Sequence, residues 1–486
     1  MINPLRFSRK KLGMAWAARR RTPLTGAIRF AMLVALLVGK VLSGSLVDNA
    51  AAAENWPQFR GAESLGTADD DRLPERWSES ENVAWKRPLP GRGWSSPIAW
   101  GNKIFLTTCV NTAGSEEPTK GLYFRGERPT PESIHKWIVY CLDLTTGEVL
   151  WERLAHEGVP LSSIHVKNTF ASETPVTDGQ RVYAYFGNLG IYCYDLDGQA
   201  LWSKKFEPHQ TRNGWGTAAS PVVSNGRVFI VDDNEEASFI VALDAATGSE
   251  LWRESRDEKT NWATPYVWKN DLREELITAG TNKIRSYDLD GKLLWELGGM
   301  SSITIPTPFA GFGMLYLSSG YVMDKQKPIY AVRPGASGDI SLTEAAPSNP
   351  SIAWHVADGG PYNTSPLLYG DYLYVLLDRG MLSCYDAHTG EAKYEKQRLP
   401  EGRAFTASPW AYRGKVFSIN EFGVTFVVEA GPEFKLLYTN ELASEPMCMS
   451  TPAMVGDRLL LRTASELVCF QAGARLAEPA TSEPAQ

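Results

Sequence analysis

Residues 240–252 are Ile-Val-Ala-Leu-Asp-Ala-Ala-Thr-Gly-Ser-Glu-Leu-Trp: an apolar strand, an Asp, a turn that contains Gly, and a second strand that ends in Trp. The same pattern recurs at 139–151, and shorter versions with an Asp-Gly turn occupy 191–202 and 284–295. A variant that ends in Tyr394 begins at Leu382. Each stretch predicts a β-hairpin, because the Gly tolerates a positive φ and the Asp accepts hydrogen bonds from turn amides.

A second marker, Ser or Thr followed by Pro, precedes a short apolar strand in each repeat. It occurs eight times, at Ser96, Thr174, Ser220, Thr264, Thr307, Ser365, Ser408 and Thr451. The base spacing is about 43 residues, which is enough for one four-stranded propeller blade. Two longer spacings, of 78 and 58 residues, predict insertions in blades 1 and 5.

The aromatic residue of each hairpin also predicts how the ring closes. Blades 1 to 7 supply Trp151, Trp202, Trp252, Trp295, Trp354, Tyr394 and Tyr438. Blade 8 ends after residues 467–470 without a fourth strand, whereas residues 82–86 carry an outer-strand pattern before blade 1 begins. We therefore expect an all-β, eight-bladed propeller of four-stranded antiparallel blades, closed by an N-terminal strand that completes the last blade.

The N-terminal region has the pattern of an export signal. A basic stretch precedes an apolar run at 30–38, and Ala51 and Ala53 form an Ala-x-Ala cleavage site. The run is too short to cross a bilayer, and Lys40 interrupts it. We expect a cleaved signal peptide at 1–53, an N-terminal segment at 54–81, the propeller at 82–472 and a disordered tail at 473–486. The pair Arg20-Arg21 leaves both Sec and twin-arginine export open.

The predicted mature protein is strongly acidic. Without the nine basic and one acidic side chains of residues 1–53, the whole-chain charge of −7 becomes −15. Phosphate backbones repel such a surface, so we expect no nucleic-acid partner. The sequence predicts a periplasmic or secreted protein, with no membrane span after signal cleavage, that exists as a monomer.

The pattern Asp-x-x-Thr-Gly-x-x-x-Trp, repeated in register over residues 82–472, resembles the pyrroloquinoline-quinone (PQQ)-repeat propeller family. That family includes the quinoprotein alcohol dehydrogenases and the propeller lipoprotein of the outer-membrane β-barrel assembly machinery. The opening Trp-Pro-Gln-Phe-Arg-Gly at 56–61 also resembles exported members. WD40 is the alternative propeller, but no Trp in this chain is followed by Asp. No Cys precedes Cys109, so the lipid-attachment motif of the assembly-machinery lipoprotein is missing.

The resemblance implies which residues a quinone-dependent dehydrogenase of this family should contain. The family's dehydrogenases hold the quinone between an indole and a disulfide of adjacent cysteines, and bind Ca²⁺ through carboxylate and amide oxygens. This chain has no adjacent cysteines and no Cys-x-x-Cys-His, His-Glu-x-x-His or Gly-x-Ser-x-Gly motif. Trp94, Trp215 and Trp262 are candidates for an aromatic floor, and the acidic run 232–236 suits either a hard cation or a solvated loop. We expect no catalytic residues, metal or cofactor; the alternative is an alcohol or sugar dehydrogenase that uses PQQ and calcium.

The six cysteines fall into two groups. Four of them, Cys141, Cys193, Cys384 and Cys469, occupy one repeat position, at which the other blades have Ala, Ser or Val. Such a position predicts a small packed side chain rather than a disulfide. Cys109 and Cys448 lie outside that register, in blades that are neighbours in a closed ring, so a disulfide between them stays open.

The Ser/Thr-Pro strands are expected to be innermost, so the residues just before them should form the rim of one channel mouth. This rim is rich in aromatic, Arg and Asn side chains, which suit recognition as well as packing. Its members are Arg92, Trp94, His165, Lys167, Asn168, Trp215, Asn261, Trp262, Tyr362, Asn363, Arg403 and Phe405. The sequence therefore predicts a non-catalytic scaffold that binds an envelope protein or an extended ligand across this mouth.

Overall fold

The computed structural model describes residues 55–114, 119–122, 129–442, 444 and 446–476. The predicted signal peptide at 1–53 lies outside the described residues, as do residues 477–486 of the predicted tail. The described chain forms 33 strands in eight sheets, and its one helical segment is a 3-10 turn, η1, at Arg212–Gly214. Within the described ranges, no helix has the length and apolar character needed to span a membrane.

The first four blades are antiparallel meanders that follow an initial strand, β1 (Glu81–Pro88). Their strands are β2–β5 (Ile98–Trp100, Lys103–Asn111, His135–Asp143, Val149–Gly158), β6–β9 (Val176–Thr177, Arg181–Phe186, Gly190–Asp195, Ala200–Lys205), β10–β13 (Val222–Ser224, Arg227–Asp232, Phe239–Asp244, Glu250–Ser255) and β14–β17 (Tyr266–Lys269, Glu274–Ala279, Lys283–Tyr287, Leu293–Gly298).

The next four blades repeat this order, with one extra strand, β21 (Gly338–Asp339), inside blade 5. Their strands are β18–β20 with β22 (Phe309–Gly311, Met314–Ser318, Ile329–Val332, Ile352–Val356), β23–β26 (Leu367–Tyr369, Tyr372–Leu377, Met381–Asp386, Ala392–Arg398), β27–β30 (Trp410–Tyr412, Lys415–Ile419, Val424–Glu429, Leu436–Glu441) and β31–β33 (Ala453–Val455, Arg458–Arg462, Glu466–Arg475).

Both ends of the described chain build the last blade. Strand β1 pairs antiparallel with β33, so that Trp85 lies opposite Cys469 and Val83 opposite Phe470. The innermost strands of blades 1 and 8, β2 and β31, contact each other and complete the ring. The predicted eight-bladed propeller with an N-terminal closing strand is therefore confirmed. Strand β33 runs on to Arg475, three residues past the boundary expected at 472.

The insertion in blade 5 adds a strand to the neighbouring blade 4. Strand β21 pairs in parallel with β17, the outer strand of blade 4, with Gly338 opposite Trp295. Blade 4 therefore has five strands rather than the predicted four. The added strand occupies backbone donors and acceptors that an outer edge would otherwise leave unpaired.

The Ser/Thr-Pro motif links each blade to the next around the channel. In six of the eight motifs, the backbone amide of the Ser or Thr donates to the hydroxyl of its counterpart in the following blade, at 2.9–3.1 Å. One run of these bonds joins Ser96, Thr174, Ser220 and Thr264, and another joins Thr307, Ser365, Ser408 and Thr451. All of these side chains are buried. The motif is therefore an inter-blade connection as well as the start of a strand.

The outer-strand tryptophans form a second connection near the perimeter. The indole of Trp151 donates to the carbonyl of Leu196, just after the turn Asp of blade 2, at 3.1 Å. Equivalent bonds are made by Trp85, Trp202, Trp252 and Trp354. The turn Gly lies against the indole, since a Cβ on Gly198 would come within 2.7 Å of the Trp151 ring. The outer-strand Trp of one blade therefore contacts the Asp-Gly turn of the next blade, which explains why the three residue types repeat together.

The repeat position that holds four cysteines faces an aromatic residue in every blade. Cys141 lies opposite Trp151, Cys384 opposite Tyr394, and the same pairing holds in the other six blades. A small side chain is needed there because a large ring occupies the neighbouring strand. All six cysteines are buried and free.

The disulfide that the sequence left open between Cys109 and Cys448 is not formed. Cys109 packs in the core shared by blades 1 and 2. Cys448 packs instead with residues of blades 7 and 8, the N-terminal segment and the other face of blade 1. The two thiols thus belong to separate hydrophobic clusters.

We expect Ser408→Ala to lower the free energy of unfolding by about 1–3 kcal/mol, because the buried amide of Ser365 loses its acceptor. Chemical denaturation measures this change. Ser408→Thr is the matched control and should stay within about 0.5 kcal/mol of wild type, since other blades use Thr at this position. Equal stability of the Ala and Thr variants would contradict the proposed role of the hydroxyl.

We expect the native protein to resist thiol reagents, and six thiols to react after unfolding without reductant. Burial raises the pKa of Cys448 to about 12, so little thiolate forms near neutral pH. A colorimetric thiol titration before and after denaturation tests this. A count of four in the unfolded, unreduced protein would reveal a disulfide and contradict the structure.

Candidate functional site

A cavity of about 540 Å³ lies at the channel mouth next to the starts of the inner strands. Eight of the twelve predicted rim residues line it: His165, Lys167, Asn168, Trp215, Trp262, Tyr362, Asn363 and Phe405. The structure therefore brings together most of the residues that precede the Ser/Thr-Pro strands. Their role in binding stays a prediction.

Arg92 and Trp94 lie outside this cavity. Arg92 lines a separate cavity of about 370 Å³, together with residues of the blade 1 insertion. Trp94 is buried, and its indole donates to the carbonyl of Lys167 at 2.7 Å. Trp94 thus supports a rim residue instead of contributing to the cavity surface.

Asn261 and Arg403 also lie outside the cavity, for different reasons. Asn261 is buried, and its amide donates to Asp233 and to the carbonyl of Ala279. Arg403 is exposed and lies over the ring of Phe422, with 5.2 Å between the guanidinium carbon and the ring centroid. Asn261 therefore supports the fold, whereas Arg403 borders the mouth on the blade 7 side.

Aromatic side chains provide much of the cavity wall. The rings of Trp215 and Trp262 are 5.9 Å apart and inclined by 36°, and the rings of Tyr321 and Tyr362 are 5.2 Å apart. Turn η1 directly precedes Trp215, whose carbonyl accepts a hydrogen bond from Asn168 at 2.9 Å. These contacts hold the aromatic faces in place before any ligand is present.

Sequence reasoning missed several cavity residues. Tyr321, Val322 and Met323 come from the connection between β19 and β20, and Glu421 follows β28. The side chain of Met323 is largely exposed, at 77%. Leu122, from the blade 1 insertion, also lines the cavity. The 78-residue spacing in blade 1 was the one sequence signal that pointed to the loop containing Leu122. No sequence motif marked Tyr321, Val322, Met323 or Glu421.

A charge pair lines part of the cavity. Lys167 and Glu421 form a salt bridge, although Glu421 has 0% of its side chain exposed and Lys167 has 12%. The hydroxyl of Thr406 donates to the same carboxylate at 2.7 Å. A buried pair of this kind is stabilising only when further hydrogen bonds complete it, and here they do.

A second buried carboxylic acid lies behind the rim. Glu173 accepts a hydrogen bond from the hydroxyl of Thr217 at 2.5 Å, and the carbonyl of Thr217 accepts one from Asn168. Burial raises the pKa of Glu173 to about 7, although the hydrogen bonds it accepts partly offset this rise. Glu173 is thus connected to the mouth through Thr217 and Asn168.

The first three residues of the acidic run 232–236 are not part of the solvated loop that one interpretation of the sequence favoured, whereas Glu236 is exposed. Asp232, Asp233 and Asn234 are buried. Arg256 binds Asp233 through two hydrogen bonds, at 2.7 and 3.0 Å. Burial raises the pKa of Asp233, and the guanidinium of Arg256 opposes that rise. The described residues contain no group of three or more potential metal-binding side chains.

The cavity does not match the quinone and calcium site that the family resemblance implies. Glu421 is the one carboxylate among the described residues that line it, and its oxygens already bind Lys167, Thr406 and a backbone amide. The chain also lacks adjacent cysteines, although Trp215 and Trp262 offer aromatic surface. The residues present therefore do not fit this cofactor, and the expectation of none stays a prediction.

Comparisons with known proteins agree with this architecture. The family model described as outer membrane protein assembly factor BamB matches residues 135–391, which is more than half of the chain. The chain belongs to this PQQ-repeat propeller family. A search of curated proteins found no match.

Solved structures share the propeller at low sequence identity. BamB from Moraxella catarrhalis is 12% identical with a TM-score of 0.54, over 80% of this chain and 99% of that one. Quinohemoprotein alcohol dehydrogenase from Comamonas testosteroni is 12% identical with a TM-score of 0.56, over 90% and 83%. The quinohemoprotein alcohol dehydrogenase ADHIIG from Pseudomonas putida HK5 is 13% identical with a TM-score of 0.55, over 89% and 82%. Such similarities establish the fold alone.

We expect the stability gained by Glu173→Gln to grow as the pH rises. The pKa of Glu173 is about 7 in the folded protein against a usual 4.5, so wild type loses stability between these pH values because the carboxyl ionises in the unfolded chain while it stays protonated in the folded protein. The uncharged variant avoids this loss, which amounts to about 3 kcal/mol at most. Denaturation at pH 4.5 and pH 8 measures both proteins, and a stability difference that is the same at both pH values would contradict the buried acid.

Proposed function

We propose that this chain is a non-catalytic binding propeller of the cell envelope that holds a protein partner at its mouth cavity. The observation that carries the proposal is the convergence of rim residues on a cavity with two pairs of aromatic rings. Rigid aromatic surface beside a few directed polar groups is typical of recognition sites. The exposed Met323 at its edge adds adaptable apolar contact.

The polar groups of the cavity favour binding over chemistry. Glu421 is bound to Lys167 and Thr406, so neither its charge nor its lone pairs are held ready for proton transfer. His165 packs edge-on against Trp215, with the ring centroids 5.6 Å apart. This arrangement supports a role in shaping the surface.

The family supports a protein partner and an envelope location. Its model carries the description of an outer membrane protein assembly factor, and we extend a protein-binding role to this chain. The export pattern of residues 1–53 supports release of an acidic monomer into the periplasm or the medium. The acidic surface argues against nucleic acid as the partner.

We expect a photo-crosslinking residue at Met323 to capture the partner in intact cells, because this side chain is exposed at the cavity edge. The same residue at Leu272, which is 67% exposed in the turn between β14 and β15, is the matched control. The adduct formed at 323 should be absent at 272 and should weaken when Trp215 is changed to Ala. Identical adducts from both positions would contradict the assignment of partner binding to the mouth cavity.

A second experiment separates the proposal from the dehydrogenase alternative. Purified protein is incubated with PQQ and Ca²⁺, desalted, and examined by absorption spectroscopy and dye reduction with alcohols and sugars. The proposal expects neither a bound-quinone spectrum nor dye reduction. Appearance of both would replace the scaffold with a quinoprotein dehydrogenase.

A further inference from the structure

The mouth is already occupied by a short piece of the chain itself. Residues 120–122 of the blade 1 insertion lie against it. The amide of Gly121 donates to Glu421 Oε2 at 2.9 Å, and Lys167 Nζ donates to the carbonyl of Gly121 at 2.8 Å. The charge pair thus binds both the N–H and the C=O of a single residue. We call Lys167 and Glu421 the peptide clamp.

The residues on either side of Gly121 use neighbouring parts of the mouth. Leu122 lines the aromatic cavity, and Lys120 Nζ lies 5.8 Å from the ring centroid of Phe422. Three consecutive residues therefore take three different surfaces: a ring face for the cation, the clamp for the backbone, and the cavity for the aliphatic side chain. A cation over an aromatic face adds a modest attraction.

The clamp suits a peptide group better than an ion. Its two members neutralise each other, so a free anion would be opposed by Glu421 and a free cation by Lys167. The backbone of one residue offers one N–H donor and one C=O acceptor and carries no charge. Gly121 has a φ of 122°, a conformation that side chains other than glycine rarely adopt. The clamp therefore favours glycine at its centre.

We propose that the peptide clamp binds a short segment of a protein partner with the order cation, glycine, aliphatic residue, and that residues 120–122 are an intramolecular stand-in for it. This inference rests on the proposed function, because it names the ligand class of the same mouth. The partner segment and residues 120–122 compete for one clamp.

Fluorescence anisotropy with a labelled peptide, Thr-Lys-Gly-Leu, tests this competition. In the full chain, Gly121→Pro removes the amide donor and cannot adopt a φ of 122°, so the stand-in leaves the clamp. We expect this variant to bind the peptide about tenfold more tightly than wild type, because the competing state is removed. Gly114→Pro is the matched control: Gly114 shares the φ of 122° in the same insertion but lies away from the clamp, and it should behave as wild type.

Two further measurements separate clamp binding from a general opening of the mouth. A peptide with N-methylglycine in place of glycine lacks the amide donor and should bind Gly121→Pro about tenfold more weakly, with the protein unchanged. Adding Lys167→Met with Glu421→Leu removes both the donor and the acceptor of the clamp without leaving a buried charge unpaired, and should abolish the gain in affinity. Equal affinity for both peptides, or equal affinity of wild type, Gly121→Pro and Gly114→Pro, would overturn the inference.

The outcomes also distinguish this inference from the proposed function. Loss of peptide binding with the crosslink at Met323 intact would reject the peptide clamp and leave the scaffold role standing. Peptide binding that follows the clamp variants, without a crosslinked partner, would support the clamp while removing the case for an envelope scaffold.

Discussion

The hydrogen bond from the amide of a Ser/Thr-Pro motif to the hydroxyl of the motif in the next blade, which six of the eight motifs make, is the constraint on which the ring depends. It fixes the distance between neighbouring inner strands where it forms, while the indole-to-carbonyl bond of Trp151 and its four equivalents fixes a second point near the perimeter. At the interfaces that have both connections, the two together define the angle between the blades. Residues just before each motif are consequently held at one mouth, where the cavity lies.

Periodicity explains what the sequence could predict. The ring of eight, its closure by the strand containing Trp85, and the small residue opposite each outer aromatic all follow from patterns that repeat. Eight rim residues were found because they lie in the short stretches that precede the Ser/Thr-Pro motifs. Glu421, Met323 and Leu122 escaped because loop conformation, which has no periodic signal, brings them to the cavity. The acidic run around Asp233 was misjudged because its buried partner, Arg256, comes from a different part of the blade, just after β13 ends.

The comparison with relatives separates scaffold from site. An assembly factor and alcohol dehydrogenases share the same ring at 12–13% identity, so the propeller does not choose between binding and catalysis. Side chains at the mouth make that choice. Here the carboxylate of Glu421 is bound to Lys167 and a backbone amide, and two pairs of aromatic rings line the same cavity.

The last blade has a consequence for how the polypeptide is made. Its outermost ribbon, β1, comes early in the chain, while its other three strands come at the far end. Val83 and Trp85 become buried when β1 pairs with β33. They therefore lack their partner strand until nearly all of the chain has been synthesised. Such distant pairing is slow and leaves apolar surface exposed in the meantime. Closure of the ring is consequently a late step in folding, and a chain that lacks β33 could not complete it.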